Sequence, residues 1–185
     1  MRLRSTNARR QSGFSMIEVL VTLLILLLGL LGLAGLVRQS QTSEMESYQR
    51  VQALVLLQDI AERISANRVA AASYVTGTSS PLGTSSVKDC SAPATRADID
   101  LCQWDEALKG AAETTSGGSQ VGAMLGGRGC VTLSAANEYL IEVAWQGLSA
   151  TAAPQSSVLC GKDAYGDDKN RRAVTTVVRI GTIDI

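Results

Sequence analysis

The longest apolar run of the chain lies in its first 37 residues. Residues 19–37 contain no charged side chain, and their only hydroxyl group belongs to Thr22. At about 1.5 Å of rise per residue, this run nearly spans the roughly 30 Å hydrocarbon core of a bilayer, and residues 14–17 complete the length. The pattern therefore predicts a transmembrane helix over residues 14–37.

Beyond Arg38 the apolar positions recur at three- and four-residue steps. The repeating set is Val51, Leu54, Leu57, Ala61 and Ile64. Such spacing predicts a helix that packs one apolar face against a globular head. No proline occurs before Pro81, so we expect one long helix from residue 14 to about residue 72, with residues 38–75 as its amphipathic part. A separate soluble helix that follows a break near residues 35–41 is the alternative.

The remainder predicts a loop region and then a small sheet. Residues 76–128 are rich in Ser, Thr and Gly and form the predicted loop region, with a short helix in residues 97–113 that Asp100 caps. Residues 129–185 form the predicted sheet head, because apolar and polar positions alternate there. Its inward sets are Tyr139, Ile141, Val143 and Trp145, and then Val174, Val178 and Ile180. We therefore expect an α+β fold, a long helix on a small antiparallel sheet.

The composition argues against several functions. Only 4% of the residues are aromatic and the net charge is zero, so we expect no nucleic-acid partner. Histidine is absent, which removes the usual general base and the commonest metal ligand. We expect no enzymatic activity, no cofactor and no metal site. Asp163, Asp167 and Asp168 lack the spacing of a calcium loop; we interpret them as a solvated turn, with calcium binding as the alternative.

Four cysteines lie beyond the apolar run, at positions 90, 102, 130 and 160. An even number outside the cytoplasm favours disulfides over a zinc site, which would need all four without histidine. Of the three possible connectivities we favour Cys90–Cys102, which closes the loop, and Cys130–Cys160, which joins the sheet to its C-terminal loop.

Four arginines precede the apolar run, and no acidic residue occurs before Glu18. This bias keeps the N-terminus in the cytoplasm. A secretory signal would have an apolar core of only about 7–15 residues; that signal and a plain uncleaved anchor are the alternatives here. Glu18 itself requires an explanation, because a carboxylate in hydrocarbon costs at least about 2.5 kcal/mol and is rarely kept without a partner.

The stretch "SGFSMIEVLV" (residues 12–21), after its basic leader, resembles the class III signal of type IV pilins. The resemblance implies that residues 1–13 are a leader which a prepilin peptidase removes by cleavage between Gly13 and Phe14. It also implies N-methylation of Phe14. We expect Glu18 to pair with the Phe14 amine of a neighbouring subunit; the alternative is that Glu18 only reaches the lipid headgroups.

The stretch "ALVLLQDIAERISANR" (residues 53–68) is similar to a segment of the type IV pilus modification protein PilV, a minor pilin family. The alternative is a solvated helix face that includes Glu62, Arg63 and Asn67. The resemblance implies a minor pilin that supports filament priming and assembly, for twitching motility and adhesion. The alternatives are a minor pseudopilin of type II secretion and a membrane-anchored extracytoplasmic binding protein or enzyme.

The same resemblance implies the location and the partners of the chain. The chain would reside in the bacterial inner membrane as a single-pass protein with a periplasmic head, and would then enter the pilus filament. Its partners would be the major pilin, other minor pilins, the prepilin peptidase and the inner-membrane assembly platform.

Overall fold

The computed structural model describes residues 13–84, 90–110, 116–117 and 124–181. The chain divides into two compact units, Met1–Ser43 and Glu44–Ile185. The predicted leader lies outside the described residues, except for Gly13. The architecture is α+β, as the sequence predicts.

Helix α1 spans Met16–Ala66. No break occurs near residues 35–41, so the prediction of one long helix is confirmed over this range. The α-helix ends earlier than residue 72 because Asn67 leaves the helical conformation, with φ −109° and ψ 45°. The chain continues as a 3₁₀ helix over Arg68–Tyr74, and the Asn67 side-chain amide donates a hydrogen bond to the Tyr74 hydroxyl at 3.2 Å.

The second unit contains a three-stranded antiparallel sheet in the order β1-β2-β3. Its strands are β1 at Arg128–Ala135, β2 at Glu138–Gln146 and β3 at Arg171–Arg179. Asn137, in the turn between β1 and β2, has φ 58°, a left-handed conformation that asparagine tolerates better than most residues. A tight turn at residues 136 and 137 therefore joins β1 to β2.

The core of the second unit lies between the sheet, α1 and a second helix, α2 (Arg96–Leu108). The predicted inward set of β2, from Tyr139 to Trp145, is buried as expected. Trp104 of α2 is fully buried, and its indole N–H donates to the Leu56 carbonyl of α1 at 3.0 Å. A β-carbon at Gly129 would lie 2.7 Å from Leu108 Cδ1, so glycine lets β1 approach α2 closely.

The face of α1 that packs in the core differs partly from the predicted one. The buried residues are Gln49, Ala53, Leu56, Leu57, Ile60 and Ile64. Leu57 and Ile64 were expected, whereas the inclusion of Val51 and Leu54 was wrong, because their side chains are 59% and 45% exposed. This part of α1 carries apolar residues on two faces, and helical periodicity alone does not say which face meets the head.

Helix α2 begins with a different cap from the predicted one. Thr95 is the N-cap: its hydroxyl accepts the Asp98 N–H, and the Asp98 carboxylate accepts the Thr95 N–H. This reciprocal pair is a capping box, which satisfies two backbone donors at once. Asp100 lies inside the helix and is buried, so its assignment as the cap was wrong.

Candidate functional site

The predicted processing site lies just before the first turn of α1. Gly13 and Phe14 are not helical, and the Phe14 side chain is 85% exposed. Ser15 caps the helix: its carbonyl accepts the Glu18 N–H at 3.0 Å, and its hydroxyl accepts the Ile17 N–H at 3.4 Å. The bond between Gly13 and Phe14 is therefore held outside the hydrogen-bonded helix, in backbone that is free of helical constraints.

Glu18 lies in the first turn of α1. A carboxylate at a helix N-terminus is favoured by the exposed backbone N–H groups of that turn. Within the part of the chain that the structure describes, no cation pairs with the Glu18 carboxylate. The sequence predicts a different partner for Glu18. This partner is the Phe14 amine of another subunit, and it therefore lies outside this chain.

The first unit exposes an almost unbroken apolar surface. Every large apolar side chain from Phe14 to Val37 is exposed, with exposed fractions from 48% to 85%. Among the described residues, α1 is the one helix long and apolar enough to cross a membrane. The position and the extent of this surface agree with the transmembrane helix predicted over residues 14–37.

The second unit carries its own exposed apolar stripe on α1. We define it as the outer stripe, and it consists of Met45, Tyr48, Val51, Leu54 and Val55. These side chains are between 45% and 62% exposed. They lie at helical spacing on the side of α1 away from Ala53, Leu57 and Ile60, which are buried against the head.

A buried carboxylate joins α1 to α2. Asp100 is 1% exposed and accepts hydrogen bonds from Arg63 Nη1 at 3.0 Å, from the Tyr74 hydroxyl at 2.5 Å and from Arg96 Nε at 3.3 Å. Arg63 also binds Asp59 at 2.9 Å. Burial, supported by the hydrogen bond to Asp100, raises the pKa of Tyr74. We call these five residues the Asp100 cluster.

The Asp100 cluster corrects the solvated-face interpretation of residues 53–68. Arg63 is half-buried and contacts α2, so it is not a freely solvated residue. With Glu62, Asn67 and Gln103, members of the cluster line an open polar cleft of about 550 Å³. The sequence offered one signal for it: Asp100 stands between Ile99 and Leu101, at a position where a helix that packs on a head is expected to be apolar.

Two buried charged side chains hold the C-terminal loop against the sheet. Glu142 and Arg171 are each 1% exposed. The Glu142 carboxylate accepts the backbone N–H groups of Leu159 and Cys160, both at 3.2 Å. Arg171 donates to the Cys160 carbonyl at 3.2 Å and binds Asp168 through two nitrogens, at 2.6 and 2.9 Å. Burial raises the pKa of Glu142, although these N–H groups and Arg171 oppose the shift.

The carboxylates of Asp167 and Asp168 are engaged within the loop itself. The Asp168 carboxylate binds Arg171, which lowers the pKa of Asp168. Asp167 accepts the Lys169 N–H at 2.9 Å, and Asp163 has a left-handed backbone with φ 59°. Across the described ranges, no three His, Cys, Asp or Glu side chains stand close enough to hold a metal ion.

Both expected disulfides are present in the structure. Cys90 is bonded to Cys102 with a Cα–Cα distance of 5.7 Å, and Cys130 is bonded to Cys160 with a distance of 5.8 Å. The first joins the loop before α2 to the helix itself. The second joins β1 to the C-terminal loop, where Cys130 and Cys160 form a small buried cluster with Ala144.

Comparison with protein families gives two matches. The prokaryotic N-terminal methylation motif matches residues 8–34, and the family described as type IV pilin Tt1218 matches residues 36–107. The first match covers the predicted cleavage site and most of the apolar run, and the second covers the buried part of α1, the Asp100 cluster and nearly all of α2. Neither match names PilV. No curated protein and no solved structure matches the chain significantly.

The type IV pilin family consists of structural subunits, and the methylation motif with its long apolar helix fits a membrane-anchored pilin. The two matches adjoin along the chain, and the structure has the long helix and small antiparallel sheet of that family. Residues 8–34 and 36–107 are therefore similar to type IV pilins, and the architecture agrees with that similarity.

Proposed function

We propose that this chain is a minor pilin subunit of a type IV pilus, which supports filament priming and assembly as a structural component. The outer stripe of α1 is the observation that carries the proposal. A bilayer core accommodates about 20 residues of helix, a length that residues 14–37 already fill. The outer stripe lies beyond that length along the chain, so lipid does not cover it, and a protein partner is needed.

Processing comes first in the proposed function. A prepilin peptidase removes residues 1–13 and methylates the new N-terminus at Phe14. The non-helical backbone at Gly13 and Phe14 supports this step, because a peptidase must bind the scissile bond in an open conformation. Cleavage leaves α1 intact, because the first backbone hydrogen bonds of the helix are accepted by Ser15, which follows the cleaved bond in the chain.

Glu18 then directs assembly. Removal of the leader creates a positively charged amine at Phe14, and the Glu18 carboxylate of a neighbouring subunit pairs with it inside the filament. In a medium of low dielectric constant such a pair offsets much of the cost of burying the carboxylate, and it fixes the axial position of one subunit against the next. The absence of a partner for Glu18 within the described chain supports an intermolecular partner.

The proposed location follows from the two ends of the chain. The N-terminus stays in the cytoplasm and the head lies in the periplasm, an oxidising compartment in which both disulfides persist. The subunit then leaves the inner membrane for the filament. Its partners are the prepilin peptidase, the inner-membrane assembly platform, the major pilin and other minor pilins, and its similarity to PilV supports a minor rather than a major role.

Glu18→Ala tests the proposal, with Glu44→Ala as a matched control farther along the same helix. The mature N-terminus is determined by mass spectrometry, and the share of the subunit in sheared filaments is measured against the membrane pool. We expect both variants to start at methylated Phe14. Glu18→Ala should lose at least about tenfold in incorporation, equivalent to about 1.4 kcal/mol, while Glu44→Ala should resemble the wild type. Normal incorporation of Glu18→Ala would refute the pairing of Glu18 with the Phe14 amine. A wild-type protein that still starts at Met1 would refute the assignment as a minor pilin.

Deletion of the gene separates the pilus from type II secretion. A minor pilin is required for twitching motility, whereas a minor pseudopilin is required for enzyme secretion. Loss of secretion with normal motility would assign the chain to the secretion system instead.

A further inference from the structure

The two disulfides of the second unit differ in their exposure to solvent. Cys130 and Cys160 are both fully buried. In the other disulfide Cys102 is 7% exposed, whereas its partner Cys90 is an exposed residue. A disulfide is reduced when an external thiolate reaches one of its sulfur atoms, so access decides which disulfide reacts in the folded protein. By this criterion the reactive disulfide is Cys90–Cys102.

The buried disulfide is enclosed by the sheet and by the C-terminal loop. Cys130 lies in β1, where it pairs with Glu142 of β2. The Glu142 carboxylate accepts the Cys160 N–H, and Arg171 donates to the Cys160 carbonyl, each at 3.2 Å. A thiol therefore reaches Cys130–Cys160 only after the loop has separated from the sheet. Such a local opening costs free energy, and it makes the reaction slow under native conditions.

The exposed disulfide joins a surface segment to α2. Every residue from 90 to 96 is exposed, and the bond between Cys90 and Cys102 is the covalent link between this segment and the middle of the helix. Reduction of the bond removes that link. The N-terminal cap of α2 does not depend on it, because both hydrogen bonds of the capping box lie between Thr95 and Asp98. The change therefore concerns residues 90–94.

Helix α2 has several attachments to the head besides the disulfide. The fully buried Trp104 donates its indole N–H to the Leu56 carbonyl at 3.0 Å. Asp105 is also fully buried, and its carboxylate accepts the Gly83 N–H at 2.6 Å. Asp100 holds the helix to α1 through the cluster described above. We therefore expect α2 and the core to keep their positions when the Cys90–Cys102 bond is broken.

We propose that Cys90–Cys102 is a thiol-exchange site of the folded protein and that its partner is a protein dithiol of the Cys-X-X-Cys type. A thiolate of the partner attacks Cys90 Sγ, the S–S bond breaks, and Cys102 leaves as a thiolate that takes up a proton. The second thiolate of the partner then attacks the mixed disulfide and releases Cys90, which is protonated in turn. The partner is oxidised to a disulfide, and its two electrons reduce the bond in this chain.

The exchange makes residues 90–94 a redox-sensitive element on the surface of the head. In the oxidised chain this segment is tied to α2, and in the reduced chain it is released while the core stays folded. Exposed disulfides are typically the labile or regulatory ones, whereas enclosed disulfides resist reduction. The encounter with a dithiol partner in the periplasm rests on the proposed function. The difference in reactivity between the two disulfides does not.

Reduction under native conditions tests the accessibility of the two disulfides. The full mature chain in detergent is treated with dithiothreitol, alkylated at intervals and mapped by mass spectrometry, while tryptophan fluorescence reports whether the head stays folded. We expect Cys90 and Cys102 to be alkylated at least about tenfold faster than Cys130 and Cys160, with unchanged fluorescence. Equal rates for all four cysteines would overturn the proposal. So would a loss of native fluorescence in step with the alkylation of Cys90.

Trapping of the mixed disulfide tests the partner and the attacked sulfur atom. The probe is reduced thioredoxin whose second active-site cysteine is replaced by serine, so that the first exchange step cannot be resolved. We expect a covalent adduct at Cys90 of the wild-type chain, and no adduct with the double variant Cys90→Ser/Cys102→Ser, which keeps the buried disulfide. No adduct with the wild type, attachment at Cys102, or an adduct with the double variant would overturn the proposal. A wild-type chain isolated from cells with its leader intact would instead refute the proposed function, and it would leave these results unchanged.

Discussion

Replacement of Asp100 by alanine tests whether the Asp100 cluster holds the head together. The wild-type carboxylate is 1% exposed and serves Arg63, Tyr74 and Arg96 at once. In Asp100→Ala the Tyr74 hydroxyl loses the acceptor for its proton. Arg63 keeps its bond to Asp59 and its side chain is 24% exposed, so it loses only part of its interactions.

The expected loss of stability in Asp100→Ala follows from the solvent exposure of the residues that bind Asp100. Breaking a fully buried pair costs about 3–5 kcal/mol, but here the two arginines are partly solvated, which reduces their share. The buried Tyr74 hydroxyl adds about 1–3 kcal/mol when its acceptor is removed. We therefore expect Asp100→Ala to lower the free energy of unfolding by about 2–4 kcal/mol, which for a domain of this size lowers the midpoint of thermal unfolding by about 6–12 °C.

Tryptophan fluorescence is the suitable assay, because Trp104 and Trp145 are both buried in the head and α1 outside the head contributes no tryptophan. Denaturation of the full mature chain in detergent gives the free energy of unfolding for each variant. Asp59→Ala is the control: it removes another partner of Arg63 from a site that is 37% exposed, and it should cost less than about 1 kcal/mol. If the control costs as much as Asp100→Ala, the cluster is not stabilised by its buried carboxylate.

Two further predictions concern the sheet. Gly129→Ala should destabilise the head by about 1–3 kcal/mol, because the new β-carbon would lie 2.7 Å from the Leu108 side chain; Gly181→Ala, which has open space around it, should have little effect on the same denaturation curve. Burial raises the pKa of Glu142 in the folded chain, so the folded state binds this proton more tightly than the unfolded state does. The stability of the wild type relative to Glu142→Gln should therefore increase as the pH falls from 7 towards about 4.3, the ordinary pKa of glutamate; a difference that stays constant over this range would contradict the assignment.

The local patterns of the sequence predicted the elements well. The apolar run and the three- and four-residue spacing after Arg38 gave one continuous helix, and strict alternation gave the inward face of β2. Helical periodicity failed where α1 has two apolar faces. Leu54 and Leu57 have equally apolar side chains, and only the position of the head decides that Leu57 is buried and Leu54 is not.

The buried charged residues were not predicted from the sequence. Asp100 and Arg63 are separated by 37 positions, so no local pattern connects them, and Asp100 was taken for a helix cap. Glu142 stands between the inward-facing Ile141 and Val143, where alternation predicts a solvated outer position. The C-terminal loop covers that side of the sheet, and the course of a loop does not follow from periodicity.

The burial of Leu56, Ile60 and Ile64 in the head has a practical consequence for protein expression. Among the described residues, five of the eighteen buried side chains of the main core belong to α1, so a soluble fragment must carry that part of the helix. A fragment that starts at Glu44, the boundary of the second unit, keeps all three leucine and isoleucine side chains and the acceptor of the Trp104 indole. A fragment that starts after Ala66 lacks them, and the apolar face of its sheet would then be exposed to solvent.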